Sequence, residues 1–371
     1  MFELYHPPLP GQIMRFTAWR VQNDYFRWCG QVQARTKNRL IFSHESALGL
    51  MGVGFLDTAA VKPDRVYEGH SSEGRAFKNR ISGNRASKYR VSENRLSDLR
   101  TYEDHIAEPD VSKDRADFPL QHVLVPPGQT RVNLQGVRCH RLSQSLSRQT
   151  ISVGEFRCSS PEAAFCQLAS TCFLGDLVVL GDSLICRDEG LAKTSLDALT
   201  EFVDSCGRFA GRRKCGQALR LMRSGVDSPR ESLLRLWMLR YGLPEPCVNF
   251  RMEDPTGRVY YLDLAYPQWR IGVEYNGKHH HEQWFEDWNR FNSLQSHGWQ
   301  VFIAEKEMID NPVWRTSFMM QVMSALSVAG AESTGFLSSP MTVAQIADGR
   351  TRLWKDEKRR RLGMESGTQG R

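Results

Sequence analysis

Between residues 228 and 304 the spacing of apolar side chains changes period repeatedly, and this order restricts the fold more than any other feature of the chain. Ser228-Pro229-Arg230-Glu231 opens a helix, with Ser at the N-cap, Pro at the first helical position and Glu at the third. Leu233, Leu234, Trp237 and Met238 follow on one face, and Gly242 ends the helix. The period then drops to two. Residues 248–252 lead into the turn Asp254-Pro255-Thr256-Gly257, and residues 259–266 are rich in aromatic and β-forming side chains. Pro267-Gln268-Trp269 interrupts the strand, and residues 270–275 resume one. Helical spacing returns over residues 282–297, where Trp284, Phe285, Trp288, Phe291 and Leu294 share a side. Gly298 stops that helix, and residues 299–304 read as a further strand. Helix, three strands, helix and strand predict an α/β (α+β) domain whose mixed sheet is flanked by helices.

Alternation over residues 270–275 puts Ile271, Val273 and Tyr275 on one face and Gly272, Glu274 and Asn276 on the other. Antiparallel pairing with the preceding strand brings Asp263 beside Glu274. Two adjacent carboxylates repel, and both ionise cheaply only with a cation between them. Mg²⁺ prefers such oxygen ligands. Once held, it polarises a phosphodiester and makes a bound water more acidic. On the pair alone a second reading stands beside this one, in which one acid is a strand-end cap or surface charge. The run Asn276-Gly277-Lys278-His279-His280-His281 then places a tight turn, an ammonium and three imidazoles just beyond Glu274. Three consecutive histidines converge poorly on one ion, and no thiol is spaced to help them, so zinc is disfavoured there. Asp287 and Arg290 lie three residues apart elsewhere on the following helix.

The rest of the chain divides by composition. Residues 1–62 and 117–204 predict an N-terminal α/β region, with residues 38–53 forming a strand and a short helix capped by Ser43 and stopped by Gly52. Further strands are expected at 122–125 and 135–140, helices at 161–168 and 194–203, and a buried apolar run at 174–184. Residues 1–20 carry several prolines and polar breaks and do not resemble a signal peptide. Residues 63–116 interrupt this region with an arginine every five residues, from Arg75 to Arg100. A period of five matches neither helix nor strand, so a disordered insertion is favoured over a phosphate-binding arm.

Residues 205–326 are assigned to the second domain and residues 327–371 to a basic flexible tail containing Lys358-Arg359-Arg360-Arg361. The net charge of +7 belongs to appendages: residues 75–100 carry +6 and residues 350–371 carry +5, which leaves −4 for the rest. Basicity by itself therefore says little about DNA binding by the folded body. The helical stretch 207–223 is an exception, with Arg208, Arg212, Arg213, Lys214, Arg220 and Arg223. It reads either as a solvated face or as a set of phosphate contacts. The nine cysteines form no Cys-x-x-Cys pair, and several lie in apolar runs, as expected of reduced core thiols in a cytoplasmic protein. No run of 18 apolar residues appears, so no membrane span is expected.

The order helix-Glu, strand-Asp, strand-Glu-x-Asn-Gly-x-x-His, helix, Gly-Trp, strand resembles the domain-of-unknown-function 559 family. That family is similar to very-short-patch mismatch-repair endonucleases of the restriction-endonuclease-like PD-(D/E)XK superfamily. The resemblance covers about 80 residues near 228–308 and is carried by Ser228–Glu231, Gly242-Leu243-Pro244, Gly257-Arg258, Val259 to Pro267 with Asp263, Val273-Glu274-Tyr275-Asn276-Gly277, His280, Asp287, Arg290, Leu294 and Gly298-Trp299. A weaker likeness to AbiEi-like antitoxins runs through Ser43-His44-Glu45-Ser46-Ala47, residues 122–127, Ser159, Pro161 and Glu162, without an evident winged helix.

The resemblance implies a restriction-endonuclease-like core and a Mg²⁺- or Mn²⁺-dependent endonuclease acting on DNA. It implies Asp263 and Glu274 as metal ligands, and Glu231 as a helix-borne acid of the same site, a role that competes with its capping role. Under it His280 is a proton carrier or phosphate contact that Asp287 orients; Arg212, Arg213 and Arg220 of the basic stretch, with Arg290, are the candidate DNA contacts. One departure matters: the superfamily's Lys position, often Asp in this family, is Asn276, which cannot act as a base. Lys278 or His280 can substitute. The alternative is a non-catalytic DNA-binding or antitoxin-like regulator on a degenerate nuclease fold, with a protein partner in a defence or toxin–antitoxin system.

Overall fold

The computed structural model describes residues 10–37, 39–54, 119–126, 128–141, 144–147, 149–253, 257, 259–276, 292–331, 337 and 339–348. The chain divides into two units, Met1–Lys62 with Leu120–Arg371, and Pro63–Pro119. The arginine-periodic insertion lies outside the described residues, as do Lys278, His280, Asp287, Arg290 and the basic run at 358–361.

In chain order the first part of the main unit comprises α1 (Pro10–Ala34), β1 (Ile41–Phe42), α2 (His44–Leu50), β2 (Gln121–Leu124), β3 (Val137–His140) and α3 (Gln144–Ser147). It continues through β4 (Thr150–Val153), β5 (Phe156–Ser159), α4 (Pro161–Leu168), α5 (Leu174–Leu184), α6 (Leu196–Ser205) and α7 (Arg212–Leu221). The second part comprises α8 (Pro229–Arg240), β6 (Cys247–Glu253), β7 (Val259–Tyr266), β8 (Ile271–Asn276), β9 (Gln300–Glu305), α9 (Lys306–Asp310), α10 (Pro312–Val328) and α11 (Val343–Ile346).

The first sheet has the order β3-β2-β1-β5-β4. β1 runs antiparallel to β2 and parallel to β5, β2 is parallel to β3, and β4 and β5 form a hairpin. The hairpin turns on Gly154 at φ 56°, where a Cβ would also stand 2.8 Å from the Phe26 ring. Only glycine meets both demands without strain. α1 is an element the sequence reading did not anticipate. Pro10 stands at its first position, where a missing N–H costs nothing. Tyr25, Phe26, Cys29 and Val32 recur at helical spacing and face the first core. The expected strand, cap and helix at 41–50 are present, with Ser43 as N-cap and Gly52 at φ 77° just beyond the helix.

The second sheet has the order β6-β7-β8-β9, antiparallel through the first three strands and parallel between β8 and β9. α8 and α10 cover one face: Leu234, Trp237 and Met238 meet Leu264, Ile271 and Val273, with Phe318, Met319 and Val322 completing the layer. Leu262, Ala265 and Leu294 form a smaller cluster with Phe250, Trp299 and Val301. The Trp237 ring is held between two guanidinium groups, Arg315 at 3.5 Å and Arg240 at 3.9 Å from its centroid.

Two boundaries differ from the sequence reading. Cys215, Ala218, Leu221 and Met222 place α7 in the first core, where Leu236 of α8 joins them, so no boundary falls at residue 205. The tail does not begin at 327 either: α10 runs to Val328, and Val343, Ile346 and Ala347 pack on the first core. Charged neighbours mask the few apolar positions of α7, and α11 is only four residues long.

A buried ion pair joins the two parts. Asp182 on α5 and Arg235 on α8 are both fully buried, 2.9 Å apart. Ser232 Oγ and the Arg223 amide each donate to the Asp182 carboxylate at 2.8 Å, and Arg235 also donates to the Leu221 carbonyl. Among the described residues, no helix is long and apolar enough to cross a membrane.

Candidate active site

Glu231 enters the site through the start of α8. Ser228 accepts from the Glu231 amide at 3.2 Å, as its capping role requires. The Glu231 carboxylate does not return to the N-cap amide. Its Oε2 accepts from the Asp227 amide at 3.0 Å, one residue further out. The side chain is buried, and burial together with the nearby charge of Asp263 pushes its pKa up to about 8. The Ser228 hydroxyl and the Asp227 amide pull it back, and the Asp227 charge adds a smaller upward push. The Asp227 carboxylate is itself raised by burial and pulled back by its ion pair with Arg187. Arg187 lies 4.7 Å from the centre of the Tyr261 ring. The sequence reading did not include Asp227 or Arg187 in the site. Asp227, directly before the cap, was the only local signal for either.

Asp263 sits where the second sheet loses its regularity. Pairing runs from Cys247↔Ala265 to Val248↔Leu264, skips one position, and resumes at Phe250↔Leu262. The skipped pair is Asn249 with Asp263, and Asn249 has φ 45°. That left-handed backbone is tolerable for asparagine and strained for most residues. The Asn249 amide side chain donates to the Gly225 carbonyl and anchors the distortion. Its consequence is a change of face: Leu262 joins the smaller cluster, whereas Leu264 joins the larger. On the other side, the β7–β8 ladder reaches Leu264↔Val273, and the Tyr275 amide then donates to Asp263 Oδ2 at 2.9 Å. The carboxylate is thereby fixed against β8 at the residue after Glu274.

Glu274 is buried in the middle of the sheet, paired through β8 with Ile303 of β9. The expected alternation holds, with Ile271, Val273 and Tyr275 in the larger cluster. Glu274 therefore belongs to the opposite face, with Gly272. Asn276 is exposed at the end of β8.

The structure thus couples Glu231 with Asp263, and Asp263 with the β8 backbone beside Glu274. The three acids do not form a closed ligand cage. Among the described residues, the one set of three such side chains with ligand atoms all within 4.8 Å is His44, His122 and His140 in the first sheet. A hydrated Mg²⁺ does not need such a cage, because it keeps several waters and takes one or two carboxylates. The donor set fits that ion in type: hard carboxylate oxygens, one of them on a group whose proton affinity is raised by burial first and by the Asp263 charge second.

The basic helix fares differently. Arg212 donates to the Gly207 carbonyl and pairs with Asp204, and Arg220 donates to the Ala347 carbonyl at 2.8 Å. Arg213 is exposed. Arg212 and Arg220 therefore secure neighbouring segments of the fold, and a phosphate would have to compete for them.

No family model matches the chain, and no solved structure matches it. Two curated relatives are "Uncharacterized protein MT2308" and "Uncharacterized protein Rv2248", from two strains of Mycobacterium tuberculosis. Each is 28% identical over 110 residues, covering 28% of this chain and 41% of the relative. The matched region spans less than half the length of either relative.

Proposed function

We propose that the protein is a Mg²⁺- or Mn²⁺-dependent DNA endonuclease whose site is built from Asp263, Glu274 and Glu231. The observation that carries this reading is the convergence of three acids: Asp263 is held by the Tyr275 amide at 2.9 Å beside the buried Glu274, and the buried Glu231 lies near enough for the Asp263 charge to add to the stress of its burial. A divalent cation relieves that stress. Support also comes from the order α8-β6-β7-β8, helical residues 292–296 and β9, with β9 parallel to β8. That order is similar to the restriction-endonuclease-like core. A metal bound there would polarise the phosphodiester and favour ionisation of the attacking water.

The chain's own residues supply the rest. Asp263, fixed by the Tyr275 amide, presents a carboxylate that needs no reorientation. Glu274 contributes a second carboxylate from the sheet, and Glu231 closes the site from the helix. Lys278 and His280 follow in sequence and are assigned to charge stabilisation and proton transfer. Arg213 and Arg290 are assigned to the DNA backbone, and Arg212 and Arg220 to the same role only where DNA displaces their internal partners. The same reading places the protein in the cytoplasm.

A second reading rests on Asn276. At the exposed end of β8 it offers neither a base nor a charged ligand, which suits a non-catalytic DNA-binding or antitoxin-like regulator with a protein partner. Incubation of the purified protein with supercoiled plasmid and with single-stranded DNA, in Mg²⁺ or Mn²⁺, separates the two. Metal-dependent cleavage that disappears in Asp263→Ala supports the nuclease. Cleavage that survives Asp263→Ala refutes the site. A salt-dependent gel shift without cleavage supports the regulator.

A further inference from the structure

The first sheet carries a histidine cluster that the nuclease site does not use. His44 is the first residue of α2, while His122 and His140 lie on the paired strands β2 and β3. In that parallel register His140 stands opposite Leu124, two residues from His122, so both histidines project from the same face. The Ser43 amide donates to the His122 carbonyl at 2.9 Å, which brings the start of α2 against the same spot. His44 has φ 51°, a left-handed conformation that is costly for a side chain of this size. The surrounding backbone holds it there, and the imidazole stacks 3.9 Å from that of His140.

The nitrogens are arranged with direction. His122 Nδ1 and His140 Nε2 face each other at 2.9 Å. His44 Nδ1 meets Ser43 Oγ at 3.0 Å, which leaves Nε2 as its ligand atom. One nitrogen from each ring lies within 4.8 Å of the others. Behind His122, its Nε2 lies 3.5 Å from Glu45 Oε2, a buried oxygen with no hydrogen bond. A carboxylate behind a ligating imidazole is the usual outer partner of a metal-bound histidine, and it fixes which nitrogen faces the ion. Neutral imidazole is the form that binds a metal.

We propose that His44, His122 and His140 bind one borderline divalent transition-metal ion, of which Zn²⁺ is the type, with Glu45 orienting His122. The donor chemistry selects the class. Imidazole nitrogens suit zinc, cobalt or nickel, whereas magnesium prefers oxygen. Tetrahedral zinc holds neighbouring nitrogens roughly 3.3 Å apart. The facing pair opens slightly to reach that spacing, and His44 closes by ring rotation. Three protein nitrogens leave a fourth position for water, the arrangement of an open site. Arg138 is exposed, and solvent screens its repulsion of the ion.

The experiment uses the full chain after chelation and dialysis, loaded with Zn²⁺ and, separately, with Co²⁺. The run His279-His280-His281 can bind such metals adventitiously, so the background carries H279A, H280A and H281A. The expected result is one Zn²⁺ per chain by elemental analysis in that background, a Co²⁺ visible spectrum of tetrahedral type, and a raised Tm. In His140→Gln and in His122→Gln the metal and the spectrum are lost, and Glu45→Gln weakens binding about 10–100-fold. Circular dichroism reports whether each variant folds. The unsubstituted first sheet remains a test by itself, through its Co²⁺ spectrum. Metal uptake that vanishes in the H279A/H280A/H281A background, or that persists unchanged in folded His140→Gln, overturns the proposal. The outcome is independent of DNA cleavage.

Discussion

Replacing Glu231 by Gln removes a buried carboxyl whose proton is held more tightly in the folded chain than in the unfolded one. The rise from 4.5 to about 8 comes from burial first and from Asp263 second. Each tenfold change in proton affinity corresponds to about 1.4 kcal/mol, so the full rise is on the order of 5 kcal/mol. The sign follows from the direction. The favourable contribution is complete below about pH 4.5, where both states are protonated, and it is lost progressively as pH rises to about 8. Wild-type stability without divalent ions therefore falls with pH across that window. Glu231→Gln keeps the shape and cannot ionise, so its stability is flatter, and at pH 8 it exceeds the wild type by a few kcal/mol. Added Mg²⁺ restores the wild type at pH 8 and does less for the variant. Urea denaturation at several pH values between 6 and 9, in EDTA and in Mg²⁺, reads all of this. Parallel pH profiles for the two proteins would refute the reasoning, because Asp263 would then exert no force on Glu231.

Other expectations concern the frame around the site. Asp182→Ala leaves the buried Arg235 with only Glu245, at 3.4 Å, as counter-charge, and a loss of about 3 kcal/mol is expected by urea denaturation. The double variant Asp182→Leu with Arg235→Met should recover much of that loss, and a single-variant cost below about 1 kcal/mol would rank the pair with surface salt bridges. Gly154→Ala should cost about 1–2 kcal/mol for its backbone alone and more through displacement of Phe26, measured as a lowered Tm.

The second sheet was legible because its strands announce themselves by period and by turn residues. The alternation over Ile271, Val273 and Tyr275 and the stops at Gly242 and Gly298 stand as expected. The β4–β5 hairpin was missed although Val153-Gly154-Glu155-Phe156 carries a two-residue glycine turn, because its strands are only four residues long. α1 was missed because prolines and polar residues at 7–12 obscured the spacing of Tyr25, Phe26, Cys29 and Val32. Within the site, Asp263 was visible as a charge inside an aromatic strand, and Glu231 as a cap. Their electrostatic coupling was not visible, since it depends on how α8 lies over the sheet. The histidine cluster was equally hidden: His44 and His140 are 96 positions apart, and the rings meet through the pairing of β2 with β3 and the Ser43 amide bond to the His122 carbonyl.

The most direct test of the acidic site is a crystal structure with Mn²⁺, located by its anomalous scattering. The account predicts one peak in contact with Asp263, with Glu274 or Glu231 completing the protein ligands and waters filling the remaining positions. Mn²⁺ absent from Asp263 at millimolar concentration would contradict it, and so would a peak confined to the histidine cluster of the first sheet.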